Sequence, residues 1–300
     1  QRGMEMLNVA AAAYADDPSR CLRATFPSSH YKVLTHIEVP CDKNNNTCAM
    51  FAAISVSEKK ILVSFRGTMT NNQLVLEGLE SLQPEVDWYG IGQVNRYFYE
   101  ALATLWDPLE RILKQESSSN YRTIFTGHSL GGALATLAAM KTHILKQREF
   151  EKISLITYGE PRVGNRVFAH NLNSVIPDVW RVVHRADMVP HLPPCKDLGA
   201  GCDDMDFRRA YHHGVEIWYP DGMSGGSSFK ACTDSLDSAK CSNSLSPRYN
   251  WEDHRWYYGV HVWTHGHDQN CEVPFPDQDQ QGKSASVLST VPIVISAILY

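Results

Sequence analysis

Twelve residues, YRTIFTGHSLGG at positions 121–132, constrain this chain more than any others. The β-branched and aromatic run 121–126 reads as a strand, and the apolar spacing that takes over at Leu130 reads as a helix. GHSLG is therefore a G-x-S-x-G turn set directly between the two. A turn this sharp has requirements. Gly127 and Gly131 lack the Cβ atoms that would collide where strand and helix cross, and Ser129 is left strained with its hydroxyl projecting from the fold. Because the helix starts at the same point, the backbone N–H of Leu130 is placed to donate to developing negative charge. A chance pentapeptide in a Gly-rich turn would lack the flanking elements. Ser129 is thus the candidate nucleophile and Leu130 a candidate oxyanion donor.

The rest of the chain supplies a matching scaffold. Short runs rich in β-branched and aromatic residues recur at 31–39, 49–56, 61–65, 121–126, 153–158, 179–184 and 215–219. Between them, 3–14, 94–115, 130–147 and 166–175 carry apolar residues at three- and four-residue spacing. The alternation predicts an α/β fold with a largely parallel central sheet flanked by helices. With 300 residues and 43% of them hydrophobic, one large domain can bury a full core. No composition break interrupts residues 1 to about 275; 1–271 is expected to form a single domain, with 272–300 as a tail outside it. Residues 221–250, rich in Gly and Ser, read as a surface loop pinned by Cys232 and Cys241. The net charge of -5, with no long Lys/Arg run, excludes nucleic acid as a partner.

A serine hydroxyl needs a base, and the base needs an orienting acid, so the elbow predicts an Asp or Glu and then a His further along. Asp187 lies in HRADMVPHLPP just after the run 179–184, where a loop at a strand's C-terminal end would hold it. The bland reading is a turn aspartate ahead of Pro190. Asp203, Asp204 and Asp206 compete, but no strand directly precedes them. For the base, His191, His212, His213, His254, His261, His265 and His267 all follow Asp187, and order alone does not separate them. His261, His265 and His267 match no established zinc-ligand pattern, so no metal is expected.

Taken together, GHSLGG at 127–132, SFRGT at 64–68, YGEPRVGN at 158–165, ADMVPHLPP at 186–194 and DHRWYYG at 253–259 resemble the class 3 lipase family, the fungal-type lipases of the α/β-hydrolase fold. The resemblance covers most of residues 1–271 and implies Ser129, Asp187 and His254 as nucleophile, acid and base. It also implies Thr68 as an oxyanion donor, where a capping threonine is the alternative. The activity implied is that of a secreted serine hydrolase of lipid esters, a triacylglycerol lipase first, working without metal or organic cofactor at a lipid–water interface. Feruloyl or aryl esterase and phospholipase A1 share the fold, and a non-catalytic lipid-binding module is the reading from another class. The family's His-x-Gly-Phe run is replaced here by GQVNRYFYEA at 92–101, so acyl-chain preference is not carried over.

Within 69–87, Val75, Leu79 and Leu82 share one helical face, and the resemblance implies an amphipathic lid there. The alternative is an ordinary core-packed surface helix. Eight cysteines suggest an oxidising compartment. Proximity favours Cys41–Cys48, Cys195–Cys202 and Cys232–Cys241, while the family's long-range bridge implies Cys21–Cys271. Asn45 heads an N-glycosylation acceptor, Asn45-Asn46-Thr47. Gln1 is read as following a removed signal peptide. Residues 287–300 are apolar but shorter than the roughly 20 residues of a spanning helix, so no stable membrane span is expected. A GPI signal has the same order of polar spacer and apolar tail, but the small residues 284–286 abut that tail, which disfavours an anchor.

Overall fold

The computed structural model describes residues 1–43, 45–68, 85–194, 209–223, 227–233 and 236–275. Val75, Leu79 and Leu82, the pair Cys195 and Cys202, the competitors Asp203, Asp204 and Asp206, and the tail from 276 onward lie outside the described residues.

Every expected run contains a strand. In chain order these are β1 (Lys32–Pro40), β2 (Thr47–Ser55), β3 (Lys60–Phe65), the short β4 (Glu85–Asp87) and β5 (Gln93–Asn95), β6 (Arg122–His128), β7 (Ile153–Tyr158), the two-residue β8 (Gly164–Asn165), β9 (Asp178–His184), β10 (Ala210–Tyr211), β11 (Val215–Tyr219), β12 (Lys230–Cys232) and the hairpin β13 (Trp256–Tyr257) and β14 (Val260–His261). The main sheet runs β1-β2-β3-β6-β7-β9-β11-β12. From β3 to β11 successive neighbours are parallel. Antiparallel pairings at both ends add β1 and β2 on one side and β12 on the other.

Burial on both faces explains why the central strands read as continuous apolar runs. In β6, Ile124 packs into a cluster with Leu7 of α1 (Arg2–Ala12), whereas its neighbour Phe125 packs into the opposite cluster with Leu134. Helix Leu130–Ile144 is buried along almost its whole length, which its small apolar residues allow. Helix Arg96–Leu113 buries Phe98, Leu102, Leu105 and Leu109, one face at helical spacing. It starts two residues later than the periodicity suggests because Asn95 closes β5 and caps the helix, its side chain accepting from the N–H groups of Tyr97 and Phe98. Sequence periodicity also misses α2 (Pro18–Thr25), although Asp17 caps it and Pro18 opens it.

The region 221–250 departs from the expectation of a plain surface loop. It contributes the edge strand β12 and buries Asp237, Ser238 and Ser242. Polar composition misleads here because these groups are buried against polar partners, including the buried guanidinium of Arg162, which bonds Asp237 at 2.7 and 3.0 Å. Disulfides join Cys232 to Cys241, Cys41 to Cys48, and Cys21 to Cys271 across 250 residues. Asn45 is exposed in the loop closed by Cys41 and Cys48. Among the described residues no helix is long and apolar enough to cross a membrane.

Candidate active site

The candidate chemistry gathers where the parallel strands end. β6 stops at His128 and the next helix starts at Leu130, leaving Ser129 between them at φ 60° and ψ -132°. An L-residue rarely adopts such a conformation, and holding it costs about 1–3 kcal/mol that the surroundings must offset. Those surroundings are visible. The Ser129 N–H donates to Tyr158 O at 2.9 Å and the Ser129 carbonyl accepts from Gly132 N–H at 2.9 Å. At the crossing, a Cβ on Gly127 would overlap the backbone of Gly131, and one on Gly131 would overlap the carbonyl of Phe65. Leu130 occupies the first helical position, where backbone N–H groups lack intrahelical partners.

Asp187 sits three residues beyond β9, in a turn closed by its own N–H to His184 O at 2.9 Å. It has no exposed surface. Its Oδ1 accepts from the Val189 N–H at 2.9 Å, and its Oδ2 accepts from His254 Nδ1 at 2.9 Å and from the Tyr257 hydroxyl at 2.6 Å. Burial pushes this carboxyl up, but the charge and hydrogen bond of His254, with the bonds from Tyr257 and Val189, outweigh it and hold Asp187 below the usual carboxylate range. The carboxylate is therefore ionised at neutral pH and fixes His254 with the proton on Nδ1. That leaves Nε2 as the nitrogen able to accept a proton.

His254 rides on the four-residue helix Glu252–Arg255. A local lattice ties this helix to the end of β9: Asp253 Oδ2 accepts from Ala186 N–H at 3.0 Å and Asn250 Nδ2 at 2.7 Å, while His184 Nδ1 donates to Asp253 O at 3.0 Å. Asn250 also exchanges backbone bonds with Ala186 and Met188. Two contacts bring this assembly to Ser129. The imidazole of His254 stacks on that of His128, with centroids 4.6 Å apart. Gly159, next to the Tyr158 that holds Ser129, lies against the pair so closely that a Cβ there would stand 2.7 Å from both Asp187 Oδ2 and His254 Nδ1. Thr68 arrives from β3 and is half-buried, one residue past Gly67, where an added Cβ would stand 3.1 Å from Ser129 Cβ.

The other candidate histidines have other partners. His191 bonds Asn243, His212 bonds Pro190 O, His213 bonds Glu160, His265 bonds Asn8, and His267 bonds the exposed Asp268. His261 caps the helix Val262–His267 through Thr264 N–H. Sequence reasoning overlooks Tyr257, Asn250 and Asp253. The first and last lie in the 253–259 stretch that carries the family resemblance, but nothing in their spacing marks them.

The family description "Lipase (class 3)" matches residues 62–197. A lipase of Caenorhabditis elegans is 40% identical over 277 residues, spanning 86% of this chain and 78% of that protein. A lipase of Rhizopus niveus is 31% identical over 209 residues, covering 69% of this chain, which spans 50% of that relative's length. Among solved structures, the lipase of Rhizopus microsporus var. chinensis superposes with a TM-score of 0.72 at 28% identity, covering 87% of each chain. The chain belongs to the class 3 lipase family, carboxylic ester hydrolases of the α/β-hydrolase fold.

Proposed function

We propose that the protein cleaves carboxylic esters of lipids, triacylglycerol foremost, through an acyl-enzyme formed on Ser129. The observation that carries the reading is the buried Asp187–His254 pair packed against the turn that presents Ser129. In the first half-reaction His254 Nε2 takes the proton from Ser129 Oγ as that oxygen bonds to the ester carbonyl carbon, and the carbonyl oxygen becomes an oxyanion. Asp187 keeps the imidazole oriented and stabilises its charged form. The backbone N–H groups of Leu130 and Thr68 receive the oxyanion, each worth on the order of 10²–10³ in turnover. Collapse expels the alcohol, which takes the proton back from His254. Water, activated by the same base, then releases the acid and restores Ser129.

The relatives support lipid esters as substrates: a Fusarium solani protein 34% identical over 146 residues is named a secreted mono- and diacylglycerol lipase. The three disulfides among the described residues fit an extracellular site of action. The segment bearing Val75, Leu79 and Leu82 is proposed as the lid that makes the enzyme responsive to an interface. The test is turnover of a short p-nitrophenyl ester by wild type and Ser129→Ala, followed by emulsified triacylglycerol, phospholipid and feruloyl esters. Loss of turnover in the variant with preference for triacylglycerol supports the reading. Equal rates in both proteins remove Ser129 from the chemistry, and preference for phospholipid or feruloyl esters replaces the substrate.

A further inference from the structure

Tyr14 follows α1 and is almost entirely buried, more than fifty residues in sequence from the nearest proposed site residue. Its hydroxyl lies 3.1 Å from the backbone nitrogen of Gly67 and 3.1 Å from Nδ1 of His128. The other ring nitrogen of His128, Nε2, lies 2.8 Å from the carbonyl oxygen of His254. These contacts have one consistent direction. A carbonyl only accepts, so Nε2 of His128 carries the proton; a neutral imidazole then has Nδ1 as acceptor, so the Tyr14 hydroxyl donates there and its oxygen accepts from Gly67 N–H. Burial pushes His128 down to about 3, with the neighbouring His254 charge adding to the effect, so the ring is neutral as this direction requires. Burial also pushes the Tyr14 phenol up, which keeps its proton in place.

The chain Gly67 N–H to Tyr14 to His128 to His254 O therefore crosses three segments that the sheet alone does not lock together. One follows β3 and ends at Thr68, one is the Ser129 turn, and one is the His254 helix. The last backbone bond between β2 and the β3 segment runs from Arg66 N–H to Ala49 O at 2.9 Å. Beyond it, the Gly67 N–H is held by a side chain that stands 53 residues earlier in the chain. Phenylalanine would fill the same space at position 14, so packing does not account for the hydroxyl.

We propose that Tyr14 and His128 form a positioning bridge that holds the Thr68 amide, Ser129 and His254 in one mutual geometry, with Tyr14 acting on oxyanion stabilisation through the Gly67–Thr68 backbone. This rests on the reading of Ser129, His254 and Asp187 given above. A bridge of this kind acts when charge develops on the carbonyl oxygen and has little effect on ground-state binding.

The experiment measures turnover per active site, counted by titration with a reactive phosphonate ester, in wild type, Tyr14→Phe, His128→Gln and the double variant. Glutamine reaches the His254 carbonyl as a donor but offers no acceptor at the Nδ1 position. The expected result for Tyr14→Phe is a fall in kcat of about tenfold or more with KM within about twofold, and a matching loss of affinity for an alkylboronic acid that mimics the tetrahedral oxyanion. The double variant should be no slower than the slower single one, because both substitutions cut the same chain. Turnover per titrated site within about twofold of wild type, or multiplying losses in the double variant, overturns the bridge. Nitrogen-15 NMR of the wild-type imidazoles at pH 7 tests it without any substitution: His128 should carry its proton on Nε2, and a proton on Nδ1 overturns the proposal. Ser129→Ala separates the two levels, since full turnover in that variant refutes the site itself, whereas an unaffected Tyr14→Phe enzyme refutes the bridge alone.

Discussion

The Tyr257 hydroxyl donates to Asp187 Oδ2 at 2.6 Å, the same oxygen that accepts from His254 at 2.9 Å. Asp187 thus divides one oxygen between a neutral phenol and the imidazole, and its depressed pKa depends on both. Tyr257→Phe removes one donor, so the carboxyl rises from its lowered value and takes up a proton at a higher pH. The acid limb of the kcat/KM profile should move upward, with a smaller loss at pH 8. A pH–rate series on a soluble ester checks this, and an unmoved limb would show that Tyr257 only fills space.

Gly159 stands at φ +56° with Asp187 Oδ2 and His254 Nδ1 both 2.7 Å from where a Cβ would lie. Gly159→Ala must displace the pair or its own backbone. Because misplacement of about 1 Å at a reacting group costs on the order of 10²-fold, kcat/KM should fall by about that factor. The strained φ should lower stability by about 1–3 kcal/mol, read by urea unfolding. An alanine variant with normal turnover would mean that the pair is less tightly held than these contacts indicate.

Buried neutral histidines make the fold sensitive to acid. Burial, followed by nearby positive charge, holds His128 and His191 down at about 3 and His212 well below its ordinary value. Unfolded, each titrates near 6.5, so below that pH the unfolded chain binds protons the native one refuses. Stability is full above about pH 6.5 and declines as pH falls toward 3. Between pH 7 and pH 5 the loss should be about 2 kcal/mol per histidine, measurable as a falling urea midpoint. A midpoint independent of pH across this interval would contradict the neutral assignment.

Arg162 and Asp237 form a bidentate pair with 2% and 0% side-chain exposure, and Asn243 bonds both partners. Arg162→Met leaves a buried carboxylate without its countercharge and should cost about 3–5 kcal/mol, whereas Arg162→Met with Asp237→Leu should recover much of it. Comparing the urea midpoints of the two variants decides whether charge or packing matters at this site.

What the sequence discloses follows from the range over which each signal acts. The elbow is legible because strand, glycines, serine and helix are contiguous, and Asp187 is legible because it follows a strand. His254 is not separable by local pattern from six other histidines; the family resemblance singles it out, and in the structure it is the one of these seven bonded to Asp187. Tyr257 meets Asp187 across 70 residues and Tyr14 meets His128 across 114, contacts that no periodicity encodes. The burial of 221–250 was hidden for a related reason, since its polar groups are satisfied by distant partners: the Asp237 carboxylate by Arg162 and the Ser242 N–H by Glu216.

The order of the main sheet has one more consequence. β3, β6, β7 and β9 are consecutive neighbours, and Thr68, Ser129, Gly159 and Asp187 each follow the end of one of them. Adjacent strands are spaced by about 4.8 Å, so the backbone ladder acts as a ruler that sets where successive groups stand before any side chain is chosen. Loops beyond those ends can lengthen, shorten or change composition while the ruler stays fixed. Substrate preference can therefore drift among relatives of this chain without the reacting atoms having to be placed anew.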